Sequence, residues 1–298
     1  MKPSHAAETL LARGLTSAAR ALPWRAALGV GAVLGATAGA LGLRRRVAEA
    51  NLALAFPERT PAERRALLEA HYREVGRIAV EYARLPELVR APFGQVVAGI
   101  DGLAHLQSMA GRGAVLLTGH YGNFELLGAV LARMNPVDFV VKPLSNPGVE
   151  AMLVRLRQNA GVGLIPVGAG VKQVFRALRA GRWVALLADQ DARRNGVFVP
   201  FFGRLASTPE GPARLALQTR SPIVFGTVRR GADGRHTLRV DPPHLPATEA
   251  DEAGVLSLTA WHTARLEAVI REAPEHWFWL HRRWKTPPPG ARDSATKG

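Results

Sequence analysis

From residue 113 onward the chain switches repeatedly between two hydrophobic periods, and nothing else in it limits the fold so strongly. Short β-rich runs at 114–118, 137–142, 162–167, 183–188 and 222–229 are separated by helical stretches near 123–133, 148–159, 170–180 and 209–219. Strands interleaved with helices of about ten residues build βαβ units. The expected fold class is therefore α/β, a largely parallel sheet flanked by helices. Ligands of such sheets collect where strands end and helices begin. A longer helix is expected near 252–272, and no repeat or linker interrupts 92–285.

One strand end concentrates potential chemistry. Gly113-Ala-Val-Leu-Leu-Thr-Gly-His120-Tyr-Gly-Asn123-Phe-Glu125-Leu-Leu-Gly128 reads as a buried strand, a tight turn carrying a histidine, and a helix opening beside a carboxylate. On one continuous helix, residues five apart point roughly 140° away from each other. His120 and Glu125 therefore meet only if His120 sits on the turn and the chain folds back. A histidine held by a carboxylate has a fixed tautomer and suits proton removal from a hydroxyl. A purely structural account also fits: Asn123 makes a good N-cap, Glu125 favours the helix dipole, and Gly119 and Gly122 serve the turn.

Other candidates surround this knot. In the 148–159 helix Val149, Met152, Leu153, Leu156 and Ala160 form an apolar stripe, with Arg157 at its edge, where an arginine can snorkel to water. Asp189 and Asp191 follow the 183–188 strand, on the sheet edge that also carries His120 if the strands are parallel. They could bind a metal, orient a sugar hydroxyl, or only form a turn. Lys142 ends another strand and offers a point charge. Trp277-Phe-Trp-Leu-His-Arg-Arg-Trp284 suits a membrane interface or a core segment with solvated arginines. His281, within it, is a second and poorer candidate base, since no acid lies at useful spacing. There is no Gly-x-Ser-x-Gly elbow, no Walker loop and no His-Glu-x-x-His. Gly29, Gly31 and Gly35 imitate a nucleotide loop but lack a preceding strand.

Charge and hydropathy bear on partners. With 39 basic and 24 acidic residues the net charge is +15, which suits an anionic partner: a phosphorylated lipid, an acidic membrane surface or an acidic carrier protein. No nucleic-acid-binding motif is present, so nucleic acid is not expected as a partner. The chain contains no cysteine, which excludes disulfides, thiolate nucleophiles and Cys-ligated zinc. Residues 26–43 carry no charge and are bracketed by Arg25 and Arg44 to Arg46. Eighteen apolar residues lie at the short end of what spans a bilayer. A spanning or shallowly inserted anchor is expected, the alternative being a small-residue helix packed inside the protein. The arginines that follow favour a main domain on the cytoplasmic side. The expected organisation is an anchor over 1–46, a helical lead-in over 47–91, a catalytic domain over 92–286 and a disordered tail over 287–298.

His-Tyr-Gly-Asn-Phe-Glu resembles the His-x-x-x-x-(Asp/Glu) signature of glycerolipid acyltransferases, in the form used by the bacterial late-step lipid A acyltransferase family. Further blocks agree in order: Arg44-Arg-Arg through Asn51-Leu-Ala-Leu-Ala-Phe-Pro57, Ala188-Asp-Gln-Asp191, Gly196-Val-Phe-Val-Pro-Phe-Phe-Gly203, and Ala273-Pro-Glu-His-Trp-Phe-Trp-Leu-His-Arg-Arg-Trp-Lys285. The resemblance implies a glycerolipid-acyltransferase-like fold in the cell inner membrane, with the catalytic domain on its cytoplasmic face. It implies transfer of an acyl chain from acyl carrier protein to a hydroxyl of a lipid A precursor or similar anionic glycolipid, without a cofactor. His120 would be the base, oriented by Glu125; Asn123, Lys142, Arg157, Asp189 and Asp191 would meet substrate. Arg157 aligns with a functional arginine of the family, whereas Lys142 stands where the family usually has arginine. Acylation of a phosphatidylinositol mannoside is a related reading. A metal-dependent hydrolase using His120, Glu125, Asp189 and Asp191, or a non-catalytic lipid-binding protein, are readings from other classes.

Overall fold

The computed structural model describes residues 3–168, 171–246 and 250–290. Six helices come first: α1 (Pro3–Ala21), α2 (Trp24–Ala40), α3 (Arg45–Ala55), α4 (Pro61–Ala83), α5 (Leu85–Arg90) and α6 (Phe93–Val96). Then come β1 (Val97–Asp101), α7 (Leu103–Ser108), β2 (Ala114–Thr118), α8 (Phe124–Leu131), β3 (Val137–Val141), α9 (Pro147–Asn159), β4 (Gly163–Pro166), α10 (Val171–Arg179) and β5 (Trp183–Leu187). The chain continues through β6 (Val197–Phe201), β7 (Arg204–Thr208), α11 (Gly211–Thr219), β8 (Ile223–Arg230), β9 (His236–Val240) and α12 (Glu252–Glu272).

Seven strands form one sheet in the order β1-β9-β8-β2-β5-β3-β4, and β6 pairs with β7 as a separate hairpin. Within the seven-stranded sheet only β8 and β9 run antiparallel. All five strand runs read from the sequence are present, with ends shifted by a residue or two. The sheet is larger than those runs implied, through β1 and β9, whose short apolar stretches carry little signal alone. One apolar layer joins α4, α11 and α12 to one sheet face, and a second joins α5, α7 and α8 to the other. This double cover explains why β2 buries four of its five residues and reads as a continuous apolar run.

The N-terminal helices pack on the domain. Thr60 and Glu63 cap α4 reciprocally, with Pro61 at its first position, so the helix starts cleanly after the Pro57 break. Ala27, Gly31, Gly35 and Gly39 set one face of α2 against α4. The approach is so close that a Cβ on Gly35 would lie 2.0 Å from the Tyr72 carbonyl oxygen. The other face exposes Val30, Val33 and Leu34. Among the described residues no single helix is long and apolar enough to cross a membrane; α2 and α3 together would be, but they bend by 91°. Asn51 of α3 is buried and donates to the carbonyls of Trp279 and His281, which ties α3 to the domain.

Of the two readings of the aromatic–basic block, the structure has the core segment, though not with all its arginines solvated. Trp277, Trp279 and Arg283 are buried, and Arg283 donates to the Ser207 carbonyl and the Thr208 hydroxyl. Residues 291–298, most of the expected tail, lie outside the described residues.

Candidate active site

The site is built at adjacent carboxyl ends of β2 and β5. Thr118 pairs in register with Leu187, so two residues further on His120 and Asp189 leave the sheet side by side. The backbone turns sharply there. Gly122 adopts φ +56 and lies against β8, where a Cβ would come within 1.9 Å of the Val228 carbonyl oxygen. Only glycine fits. Asn123 then caps α8 by accepting from the Leu126 N–H.

His120 Nδ1 lies 2.7 Å from Asp189 Oδ1, and the His120 backbone N–H donates to Oδ2 at 2.8 Å. Trp277 Nε1 donates to the same Oδ2 at 2.8 Å. The carboxylate therefore holds ring and backbone of His120 together, which puts the ring proton on Nδ1 and leaves Nε2 as the basic nitrogen. Gln190 Nε2 approaches that nitrogen to 3.4 Å. Phe124 packs edge-on against the imidazole with centroids 5.2 Å apart, and Phe278 flanks it at 6.3 Å. The C-terminal block closes the turn from behind: Phe278 N–H donates to the His120 carbonyl, and Gly122 N–H to that of His276.

Burial disfavours the His120 imidazolium, but the charge and hydrogen bond of Asp189 outweigh it and raise its pKa, with a further contribution from Glu125. Burial alone would raise the Asp189 pKa; the His120 charge and hydrogen bonds from His120 and Trp277 instead lower it to about 2. The pair is poised to carry a positive charge on the ring.

Glu125 does not hydrogen-bond His120. Its carboxylate takes a two-pronged contact from Arg157 of α9: Nε at 3.1 and 3.0 Å from Oε1 and Oε2, and Nη2 at 2.5 Å from Oε1. The expected His120–Glu125 pairing is thus replaced by His120–Asp189 and Glu125–Arg157. The reason is geometric. Glu125 lies in the first turn of α8, facing α9, while the parallel register brings Asp189 directly to the imidazole. Arg157 does not snorkel, since its side chain is only 16% exposed and is bound to this acid.

The other expected residues separate. Asn123 is buried with both side-chain ends engaged, accepting from Leu126 N–H and donating to Glu81 Oε2 at 2.9 Å. It supports the turn rather than facing substrate. Asp191 accepts from the Thr286 hydroxyl, and its backbone N–H donates to His281 Nε2 at 3.1 Å, so that histidine is already engaged. Lys142 is exposed at the end of β3. A metal centre of His120, Glu125, Asp189 and Asp191 does not assemble, because Glu125 is tied to Arg157. Among the described residues no three His, Cys, Asp or Glu side chains are grouped to hold a metal ion.

Behind the turn lies a buried ionic cluster that the sequence reading did not single out. Glu81 of α4 receives Asn123 on Oε2, and on Oε1 both Arg230 at 2.5 Å and His236 Nε2 at 2.7 Å. Glu74, two turns earlier on α4, binds Arg230 at 3.0 Å. Burial would push the Glu81 pKa up, but His236 and Arg230 hold it at about 2. A signal was present in the sequence: Glu81 lies between Val80 and Ala83 on the apolar side of its helix, where an unpaired carboxylate is untenable.

Beside the His120 turn an apolar cavity of about 590 Å³, including its open mouth, runs between α8 and the sheet. Thr118, Phe124, Glu125 and Arg157 line it on the side of His120, and Gly128, Leu131, Phe139, Ala185 and Val224 are among its walls. An extended hydrocarbon fits this lining, and a charged ligand does not.

Comparison with known proteins gives the family. Residues 3–286 match the family model described as bacterial lipid A biosynthesis acyltransferase. The chain is 29% identical over 276 residues to the lipid A biosynthesis palmitoleoyltransferase of Escherichia coli (strain K12), covering 90% of this chain and 88% of that protein. It is 30% identical over 257 residues to the lipid A biosynthesis lauroyltransferase of the same organism, covering 83% and 81%. It is also 30% identical over 225 residues to the phosphatidylinositol mannoside acyltransferase of Mycolicibacterium smegmatis (strain ATCC 700084 / mc(2)155), covering 73% and 72%.

Proposed function

Since the chain belongs to the bacterial lipid A biosynthesis acyltransferase family, we propose that it moves a fatty acyl chain from an acyl carrier protein thioester to a hydroxyl of a lipid A precursor. The observation that carries this reading is the basic Nε2 of His120, backed by Asp189 and placed beside an apolar cavity. His120 Nε2 takes the proton of the acceptor hydroxyl as its oxygen attacks the thioester carbonyl carbon. The tetrahedral intermediate collapses by breaking the carbon–sulfur bond, and the imidazolium returns its proton to the departing thiolate. Asp189 stabilises the imidazolium between those events. Direct attack is favoured, because the chain has neither cysteine nor a serine elbow for an acyl-enzyme route.

The remaining groups take supporting roles. The apolar cavity holds the donor acyl chain. Glu125 and Arg157 lock α8 to α9 at the entrance, where the guanidinium lies close to charge developing on the thioester oxygen. The +15 net charge attracts an acidic carrier and a phosphorylated lipid. The exposed apolar face of α2, with Leu10, Leu11 and Leu15 of α1, supports shallow insertion into the cytoplasmic leaflet of the inner membrane. Acyl transfer to a mannosylated phosphatidylinositol uses the same atoms, and the mycobacterial relative keeps it as a second reading.

The test is reconstitution of purified protein with acylated carrier protein and each of the two glycolipids, with products resolved by mass spectrometry. Acyl addition to the glucosamine lipid is expected. Addition only to the mannosylated lipid selects the second reading, and addition to neither overturns both.

A further inference from the structure

A second apolar hollow, separate from the acyl cavity, lies against another part of α9. It is bounded by α1, α2, α4 and α9, and its empty space amounts to about 1350 Å³, part of it open to solvent. Its walls include Ala12 and Leu15 of α1, Leu34 and Ala38 of α2, Ala79 and Tyr82 of α4, and Met152 of α9. Few polar groups face it, and two of them are engaged already: Thr16 turns to the Met152 sulfur, and the Tyr72 hydroxyl donates to the Leu43 carbonyl. A strongly polar ligand would find few partners there.

Two observations identify the occupant. Leu15, Val30 and Leu34 line the hollow and are also exposed, so it opens through the apolar faces of α1 and α2. At its inner end, Tyr82 packs edge-on against Phe124 with centroids 5.9 Å apart, and Phe124 packs in turn on His120. Whatever fills the hollow is apolar along its length and presents its reactive end two aromatic rings from the base. A membrane amphiphile with a polar headgroup meets both conditions.

We propose that this groove seats an acyl chain already carried by the acceptor glycolipid, so that α1 and α2 form part of the acceptor site. The proposal rests on the acyl-transfer reading. Donor and acceptor chains then lie in separate hollows, with the acceptor headgroup over His120. A membrane-embedded acceptor need not leave the bilayer completely to reach the base.

Photolabelling tests this without requiring turnover. Full-length protein in lipid nanodiscs is irradiated with a phosphorylated glucosamine disaccharide lipid bearing a diazirine in one acyl chain, and the adducts are mapped by peptide mass spectrometry. Labels are expected on the peptides holding Ala79 and Met152. They should be lost in Ala12→Phe and in Ala79→Phe, which fill the groove from two different walls. In each variant the KM for the acylated acceptor should rise about tenfold or more, since each excluded methylene weakens burial about fourfold. Labels confined to the outward residues Leu10, Leu11, Val33 and Leu41 would make the helices a membrane contact only and overturn the proposal. Cross-links between two copies through the groove would overturn it as well. Groove labelling without acyl transfer would retain the lipid-chain site while removing the enzymatic reading.

Discussion

His120 and Asp189 are 69 residues apart, yet the carboxylate reaches both the Nδ1 and the backbone N–H of the histidine. One acid thus fixes the tautomer, the ring orientation and the turn. His120→Ala is expected to lower acyl transfer by roughly 10²–10⁴-fold. Asp189→Asn should cause a loss of similar order, and the double variant should be little worse than either single one. Kinetics with acylated carrier protein, run beside circular dichroism, check this. Near-normal transfer by folded His120→Ala protein would remove the mechanism.

The same pair makes a pH prediction. His120 must be neutral to act as base, and its raised pKa places the acidic limb of kcat/KM above 6.5. Removing the Asp189 charge leaves burial, which works in the opposite direction. In Asp189→Asn the limb should therefore move to lower pH even as the plateau falls. A limb that stays in place would show that Asp189 has no electrostatic hold on the ring.

Arg157 and Glu125 should behave as a structural and catalytic unit. The Glu125 carboxylate is buried and its hydrogen bonds come from Arg157, so Arg157→Ala leaves a charge without its partner. Breaking such a pair costs about 3–5 kcal/mol. Thermal or denaturant unfolding should register that loss, and Arg157→Lys should recover only part, because lysine cannot make the planar two-pronged contact. Stability unchanged in Arg157→Ala would mean the pair is solvated in solution.

Acid should destabilise the fold through its buried histidines. His71 and His262 are held neutral chiefly by burial, with pKa values lowered to about 4 and about 3. The unfolded chain binds protons at these sites from about pH 6.5 downward and the native state does not, so stability falls as pH drops from there towards 4. His262→Gln should flatten the dependence of Tm on pH over that range. An unchanged slope would assign the acid sensitivity elsewhere.

Ala185 lies on β5 in the wall of the apolar cavity beside His120, the proposed seat of the donor chain. Ala185→Leu adds three carbons to that wall and should shift donor preference towards shorter chains. Competition between carrier proteins loaded with chains of different length reads this directly. An unaltered preference would separate the cavity from the donor chain.

The strands and helices of the central sheet were legible because each carries its own period, and the turn at His120 because glycines and an N-cap announce it. Partnership was not. Nearness along the chain and the His-x-x-x-x-Glu resemblance point to Glu125, five residues away, rather than to Asp189. What decides is the register of β2 on β5, a long-range quantity that no local pattern encodes. Glu81, Arg230 and His236 escaped notice for the same reason, since they meet across 149 and 155 residues. The N-terminal apolar run was read as an anchor from its composition. Its glycines acquire meaning only once Gly76 and Tyr72 of α4 stand opposite them.

The block around Trp277 has a bearing on when, during synthesis, the His120 turn takes its final form. Both His120 and Asp189 leave the ribosome long before Trp277, which donates to the acid, and before Phe278 and His276, whose backbones close the turn. Asn51 and Arg44, made earlier still, wait for carbonyls at Leu280 and His281. A nascent chain that stalls short of this block, or a product clipped within it, carries both members of the dyad without the residues that hold them in place. Assembly of the turn is thus a late event in biogenesis, since it waits for residues made about 90 positions after Asp189.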